Sequence, residues 1–245
     1  VLLLLASYVF YAYWDYRFLS LIILSSGIDY YLGNAIYTTQ VESKRKQLLL
    51  SSVVANIGIL AIFKYFDFFI ASANTLLDSF GVSTQLGLLE LLFPVGISFY
   101  TFQTLSYTID IYRRKIEPTK DVVSFFGFVS FFPQLVAGPI ERASDLLPQF
   151  KSDRKFDYSN AMDGTRQILW GMFKKVVVAD NAAIIVDSIF NNYQDASPFV
   201  LFLGAGLFFV QVYGDFSGYS DIAIGTAKLL GYRLSINFAS PFFSR

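Results

Sequence analysis

The chain contains no cysteine and no histidine among its 245 residues. Without cysteine it can form no disulfide, no thiolate nucleophile and no cysteine-based metal site. Without histidine it lacks the commonest general base and the commonest metal ligand. Charge is scarce as well. Asp, Glu, Lys and Arg make up 16% of the residues, and 19 basic side chains balance 19 acidic ones. A soluble domain of this length needs more charge to cover its surface. A net charge of zero points to neither a nucleic-acid partner nor a polybasic surface protein. The sequence has no internal repeat, no low-complexity tract and no segment that reads as a soluble domain. Apolar residues are plentiful at 54%, with 27 Phe and 16 Tyr suited to filling a helical bundle or its interfacial belts. Val1–Phe10 lacks the basic flank and cleavage site of a signal peptide, so a truncated first span within a longer protein is expected.

Hydropathy places the spans, since a helix needs roughly 20 apolar residues to cross a bilayer. The expected segments are Val1–Tyr13, Phe18–Tyr37 with Asp29 inside it, Gln47–Phe69 and Leu86–Tyr112. Val122–Ala137 is apolar but short. Gln167–Phe190 is interrupted by Lys174, Lys175, Asp180 and Asp187. Phe199–Tyr213 and the short Asp221–Leu230 follow. Roughly six or seven membrane segments are expected. The fold class is therefore all-α: a polytopic transmembrane helical bundle with kinked or re-entrant elements around a central cavity, forming a single membrane-embedded domain over residues 1–245. Lys151–Asn160 is the most polar stretch and reads as a loop.

Basic residues suggest the orientation. Lys44, Arg45 and Lys46 form one cluster and Arg113, Arg114 and Lys115 another, with two spans between them. The positive-inside rule puts both in the cytoplasm. If Arg142, Lys151, Arg154 and Lys155 join them, Val122–Ala137 must enter and leave on the same side. Pro133 and the Gly138-Pro139 pair support such a break, because each interrupts helix hydrogen bonding. An ordinary Pro-kinked span is the alternative. Broken backbone at membrane depth is tolerated only where protein or a cavity satisfies it.

Three groups of residues are candidates for a substrate channel. Tyr100, Gln103, Tyr107 and Asp110 recur along one helical face, with Phe99, Phe102 and Leu105 away from it. They either line a passage or bond neighbouring helices, and Asp110 has the further option of pairing with Arg113 or Arg114. Pro133, Gln134, Gly138 and Pro139 mark the break. Asp215, Ser217, Tyr219 and Asp221 lie in YGDFSGYSD, where Gly214 and Gly218 permit a tight turn and Asp215 and Ser217 suit a helix cap. No Ser-His pair and no Gly-x-Ser-x-Gly elbow is present, and the segment has too few ligands for a metal. Lys174 and Lys175 are expected to snorkel to the interface.

Four blocks occur in fixed order: FPVGISFYTFQTLSYTIDIYRR, SFFPQLVAGPIERASDLLPQF, LWGMFKKVVVADNAAIIVD and QVYGDFSGYSDIAIGTAKLLGYRLSINFASPF. Together they closely resemble the membrane-bound O-acyltransferases, in the bacterial branch of alginate O-acetyltransferases and teichoic-acid D-alanyl transfer proteins. The resemblance covers most of the chain from about Phe93 onward. It implies transfer of a short acyl group, acetyl or D-alanyl, from a cytoplasmic thioester towards a polysaccharide or cell-wall polymer outside the membrane. The donor would be acyl-CoA or an acyl-carrier-protein thioester, a substrate in place of any permanently bound cofactor. Partners would be an extracytoplasmic glycan or transferase and the lipid bilayer of the bacterial inner membrane, with no nucleic acid. Family members carry a catalytic histidine in a Trp-His motif shortly after the block ending here in SINFASPFFSR. This sequence has no histidine, so the resemblance assigns no catalytic residue to it and implies an inactive fragment. A transporter or flippase, or a non-catalytic scaffold, is the competing class.

Overall fold

A computed structural model describes residues 1–81, 86–88, 94–136 and 138–238. Among the described residues every regular element is helical. Among these residues three helices are long and apolar enough to cross a membrane: α1 (Leu2–Thr38), α2 (Glu42–Ser79) and α9 (Pro198–Leu229). The expected Val1–Tyr13 and Phe18–Tyr37 spans are the two arms of α1, which breaks once at Asp15 with φ −161° and ψ 113°. The Asp15 carboxylate accepts the Arg17 backbone N–H at 2.9 Å and is clamped by the Arg17 guanidinium, so it restarts the helix as a cap.

The span expected from Leu86 is described as helix only from Ile97. There α3 (Ile97–Tyr112) begins behind Gly96, whose φ of +76° is open to glycine and strained for other residues. Residues 89–93 lie outside the described residues. The apolar stretch from Val122 is broken into α4 (Val122–Val129), capped by Asp121, and the single turn α5 (Phe132–Leu135). At about 1.5 Å per residue, neither can cross about 30 Å of hydrocarbon. Ala137 lies outside the described residues. Next come α6 (Ala143–Lys151), α7 (Tyr158–Met172) and α8 (Asp180–Asn191), with a π-helical segment, Phe173–Ala179, joining α7 to α8.

The chain forms two compact units. The first holds residues 1–132 and 142–150. Its core gathers Ile22, Ile36, Ile97, Tyr100, Tyr107 and Phe125, all fully buried. Phe125 stacks obliquely against Tyr107 with centroids 4.7 Å apart. Gly33 lets α1 approach α3, since a Cβ there would lie 2.9 Å from the Tyr107 ring. Asp29 is fully buried and bonded on both oxygens, by the Ser52 hydroxyl at 2.6 Å and the Asn56 amide at 2.8 Å.

The second unit holds residues 133–141 and 151–245. Here α9 runs antiparallel to α7 at backbone contact. A Cβ on Gly171 would lie 2.6 Å from the Gly218 carbonyl oxygen, and one on Gly225 would lie 2.5 Å from that of Gly164. No methyl fits at either place. This corrects the expected break at Tyr213–Asp221. Gly214 and Gly218 are mid-helix residues of α9, as are Asp215 and Ser217, and none of them turns the chain or caps a helix. A helical glycine costs about 1 kcal/mol relative to alanine. Close packing against α7 and neutralisation of the carboxylates offset that cost. Replacing Gly225 by Ala is therefore expected to lower stability in detergent by about 1–3 kcal/mol. Gly206→Ala, on the same helix with nothing within 4 Å of its Cβ position, is expected to leave it unchanged or raised. Equal melting temperatures for the two variants would contradict the backbone contact.

Candidate functional site

The stripe on α3 is buried in the first unit: Tyr100 and Tyr107 fully, Gln103 and Asp110 almost so. Gln103 donates its Nε2 hydrogen to the Phe128 carbonyl at 2.9 Å. The Tyr107 hydroxyl accepts the Thr119 backbone N–H at 3.2 Å. Among the described residues no ion pair joins Asp110 to Arg113 or Arg114. On that face Gln103 and Tyr107 connect segments of one unit, while the buried Tyr100 hydroxyl has no hydrogen-bond partner among the described residues.

The break residues belong to the second unit. Pro133 is half-buried, while Gln134, Gly138 and Pro139 are buried. The Gly138 N–H donates to the Gln134 carbonyl at 3.0 Å, and a Cβ on Gly138 would lie 2.5 Å from the Gln134 Cα and 3.2 Å from Ala223 on α9. Only glycine lets the chain pass between them. Beyond it, buried Glu141 accepts the backbone N–H of Ser235.

The third group sits on α9, facing the π-helical segment. A π segment has a wider turn than an α-helix and re-aims the side chains that follow. Here Lys174 and Lys175, neighbours in sequence, both reach α9. Lys174 pairs with Asp221 and donates to the Ser217 carbonyl at 3.3 Å. Lys175 bridges Asp215 at 2.6 Å and Asp180 at 2.7 Å, with its ammonium 5.4 Å from the Tyr219 ring centroid. Gln167 adds a hydrogen bond of 2.9 Å to Asp221. The expectation that these lysines snorkel is overturned. They are held to the carboxylates of α9 because a charge among apolar helices is stable only when paired. The hydroxyls of Ser217 and Ser220 are buried without a hydrogen-bond partner.

All four residues singled out on α9 thus lie on or beside one charge cluster, whose pairing with Lys174 and Lys175 went unrecognised in the sequence, as did the part of Gln167. A signal for the contact was present: Gly164 and Gly171 are spaced two turns apart, as are Gly218 and Gly225. At the far end of α9, Lys228 pairs with Asp163 and holds that carboxyl below its usual range, chiefly through the hydrogen bond between them. The cluster contains no nucleophile beside a free base. Its ammonium groups are occupied by carboxylates, so it can orient neighbouring groups and keep charge inside a helix pair.

Long apolar helices with ion pairs enclosed between them define a helical membrane protein. No protein-family model matches the chain. Among curated proteins it is 39% identical to a probable alginate O-acetylase, AlgI, of Pseudomonas putida, over all of the chain and 50% of that protein. It is 35% identical to a peptidoglycan O-acetyltransferase of Helicobacter pylori, over 98% of the chain and 50% of the relative. It is 28% identical to a teichoic acid D-alanyltransferase of Streptococcus thermophilus, over 65% of the chain and 40% of the relative. These relatives are all membrane-bound O-acyltransferases, the family that the chain resembles. It spans about half the length of the first two relatives.

Lys174 and Asp221 are both largely buried. Lys174→Met is therefore expected to strand the carboxylate and cost about 2 kcal/mol of unfolding stability. Combining it with Asp221→Leu is expected to restore most of the loss. Strictly additive losses in denaturant titrations would contradict the pairing.

Proposed function

We propose that this chain is part of an O-acyltransferase that moves a short acyl group, acetyl or D-alanyl, from a cytoplasmic thioester donor to an extracytoplasmic polysaccharide or cell-wall polymer. The observation that carries this reading is the end-to-end similarity to proteins named as O-acetylases of alginate and peptidoglycan. Acyl transfer needs a base near the attacking hydroxyl, donors for the developing oxyanion and exclusion of water from the activated donor. The chain has no histidine to act as that base. Its own contribution in this reading is positional. Paired lysines and aspartates let polar groups persist inside an apolar helix pair, and at Gly138 the chain passes close beside Ala223 of α9. The donor, acyl-CoA or an acyl-carrier protein, and the inner-membrane setting are parts of the same proposal.

The test is transfer of radiolabelled acetyl or D-alanyl groups to cell-wall or exopolysaccharide in membranes carrying the complete protein. Labelled polymer is expected with one of these donors. Asp221→Ala, at unchanged amounts of inserted protein, is expected to lower transfer about tenfold or more, since small displacements of positioning groups are costly in rate. No label in any polymer would refute the activity. Undiminished transfer by the variant would refute the positional role of the cluster.

A further inference from the structure

The second unit has a basic cleft where the Lys151–Asn160 stretch meets the end of α9. Its volume is about 490 Å³, and Arg154, Lys155, Lys228 and Arg233 line it together with Asp157 as the sole acid. A smaller cavity of about 250 Å³ shares Asn160, Lys228, Gly231 and Arg233 with it. The acidic side chains nearby are committed elsewhere. Asp157 caps α7, accepting the backbone N–H groups of Ser159 and Asn160, while Asp163 pairs with Lys228. Counting both, four cations face two carboxylates.

Arg154 is held in place with unusual care for a loop residue. Its guanidinium stacks 3.2 Å from the Tyr232 ring centroid, and Nη1 donates to the Gly231 carbonyl at 2.6 Å. Its Nη2 is buried and has no hydrogen-bond partner. A fixed guanidinium beside lysines in a half-open cleft is the arrangement that binds planar or tetrahedral oxyanions. A phosphate monoester carries about −1.5 to −2 at neutral pH, a charge that a cleft lined by four cationic side chains suits. The volume falls in the range of about 300–1,000 Å³ typical of small-molecule sites.

We infer that this cleft binds a phosphate-bearing anion through Arg154, Lys155, Lys228 and Arg233. Two sources offer that chemistry: a soluble phosphorylated compound, such as the nucleotide or phosphopantetheine part of a thioester donor, and the headgroup of an anionic phospholipid. The site stands on the cleft alone. Only its assignment to the donor rests on the acyl-transfer reading.

The experiment uses the complete protein in nanodiscs and needs no turnover, so its failure is separate from failure of that reading. One arm titrates 3′,5′-ADP into phosphatidylcholine discs by calorimetry. The other measures phosphatidylglycerol retained through native mass spectrometry. Lys155→Gln, an exposed position that keeps the fold, and Arg154→Gln are each expected to weaken binding about tenfold. Weakened 3′,5′-ADP binding identifies a soluble ligand, and weakened lipid retention identifies a headgroup. Either result supports the site. Binding of neither probe, or binding unchanged in both variants, would overturn it.

Discussion

Backbone contact between α9 and α7 is the constraint on which the second unit depends. Lipid tails are as apolar as leucine, so burial alone gives two membrane helices little reason to associate. Glycine replaces that drive with proximity. Where Gly164 meets Gly225 and Gly171 meets Gly218, no side chain separates the main chains, and dispersion together with weak Cα–H contacts acts over the shortest possible distance. The same closeness brings Lys174 and Lys175 within reach of Asp215 and Asp221. The charges then lock the register that the glycines permit. Removing the glycines would separate the charges, and removing the charges would leave an apolar pair free to slide.

The first unit solves the same problem with different groups. Its buried polar side chains are hydroxyls and amides on α1, α2 and α3, gathered around Asp29. Ser25 extends this network by donating to the Asn56 side-chain oxygen at 2.7 Å. Each bond joins helices far apart in sequence and satisfies a group that would otherwise be stranded in an apolar core. Gln103 and Tyr107 on α3 take part in the same internal bonding, whereas the buried Tyr100 hydroxyl has no hydrogen-bond partner among the described residues. Gln103 closes the open carbonyl of Phe128 at the C-terminal end of α4, and Tyr107 fills the space left by Gly33.

Much of this was legible in the residues, and the failures have a common cause. Scarce charge and long apolar runs announce a helical membrane protein. The interruption around Asp15 was read as a gap between spans and is a capped kink in the same place. Tyr100, Gln103, Tyr107 and Asp110 fall at buried positions of α3, although Leu105, read as lying away from them, is buried too. Tyr213–Asp221 was misread because glycine, serine and aspartate signal a turn when only neighbours are considered. The residues that make this stretch helical lie some forty positions upstream, in Gly171, Lys174 and Lys175. Local composition cannot show a partner so distant in sequence. The matched spacing of two glycine pairs could have shown it.

Residues 1–245 contain no cysteine, so with any cysteine elsewhere in the complete protein replaced, the central contact is directly measurable. A Cβ on Gly214 would lie 3.3 Å from that of Ala179, close to the separation of about 3.5–4.5 Å that a disulfide requires. Gly214→Cys combined with Ala179→Cys, in the complete protein under a mild oxidant, should cross-link readily, whereas Gly206→Cys combined with Ala179→Cys should not. A cross-link within the first pair alone is the result expected of one unbroken α9 lying against the π-helical segment. No cross-link there, or equal cross-linking in both pairs, would contradict it.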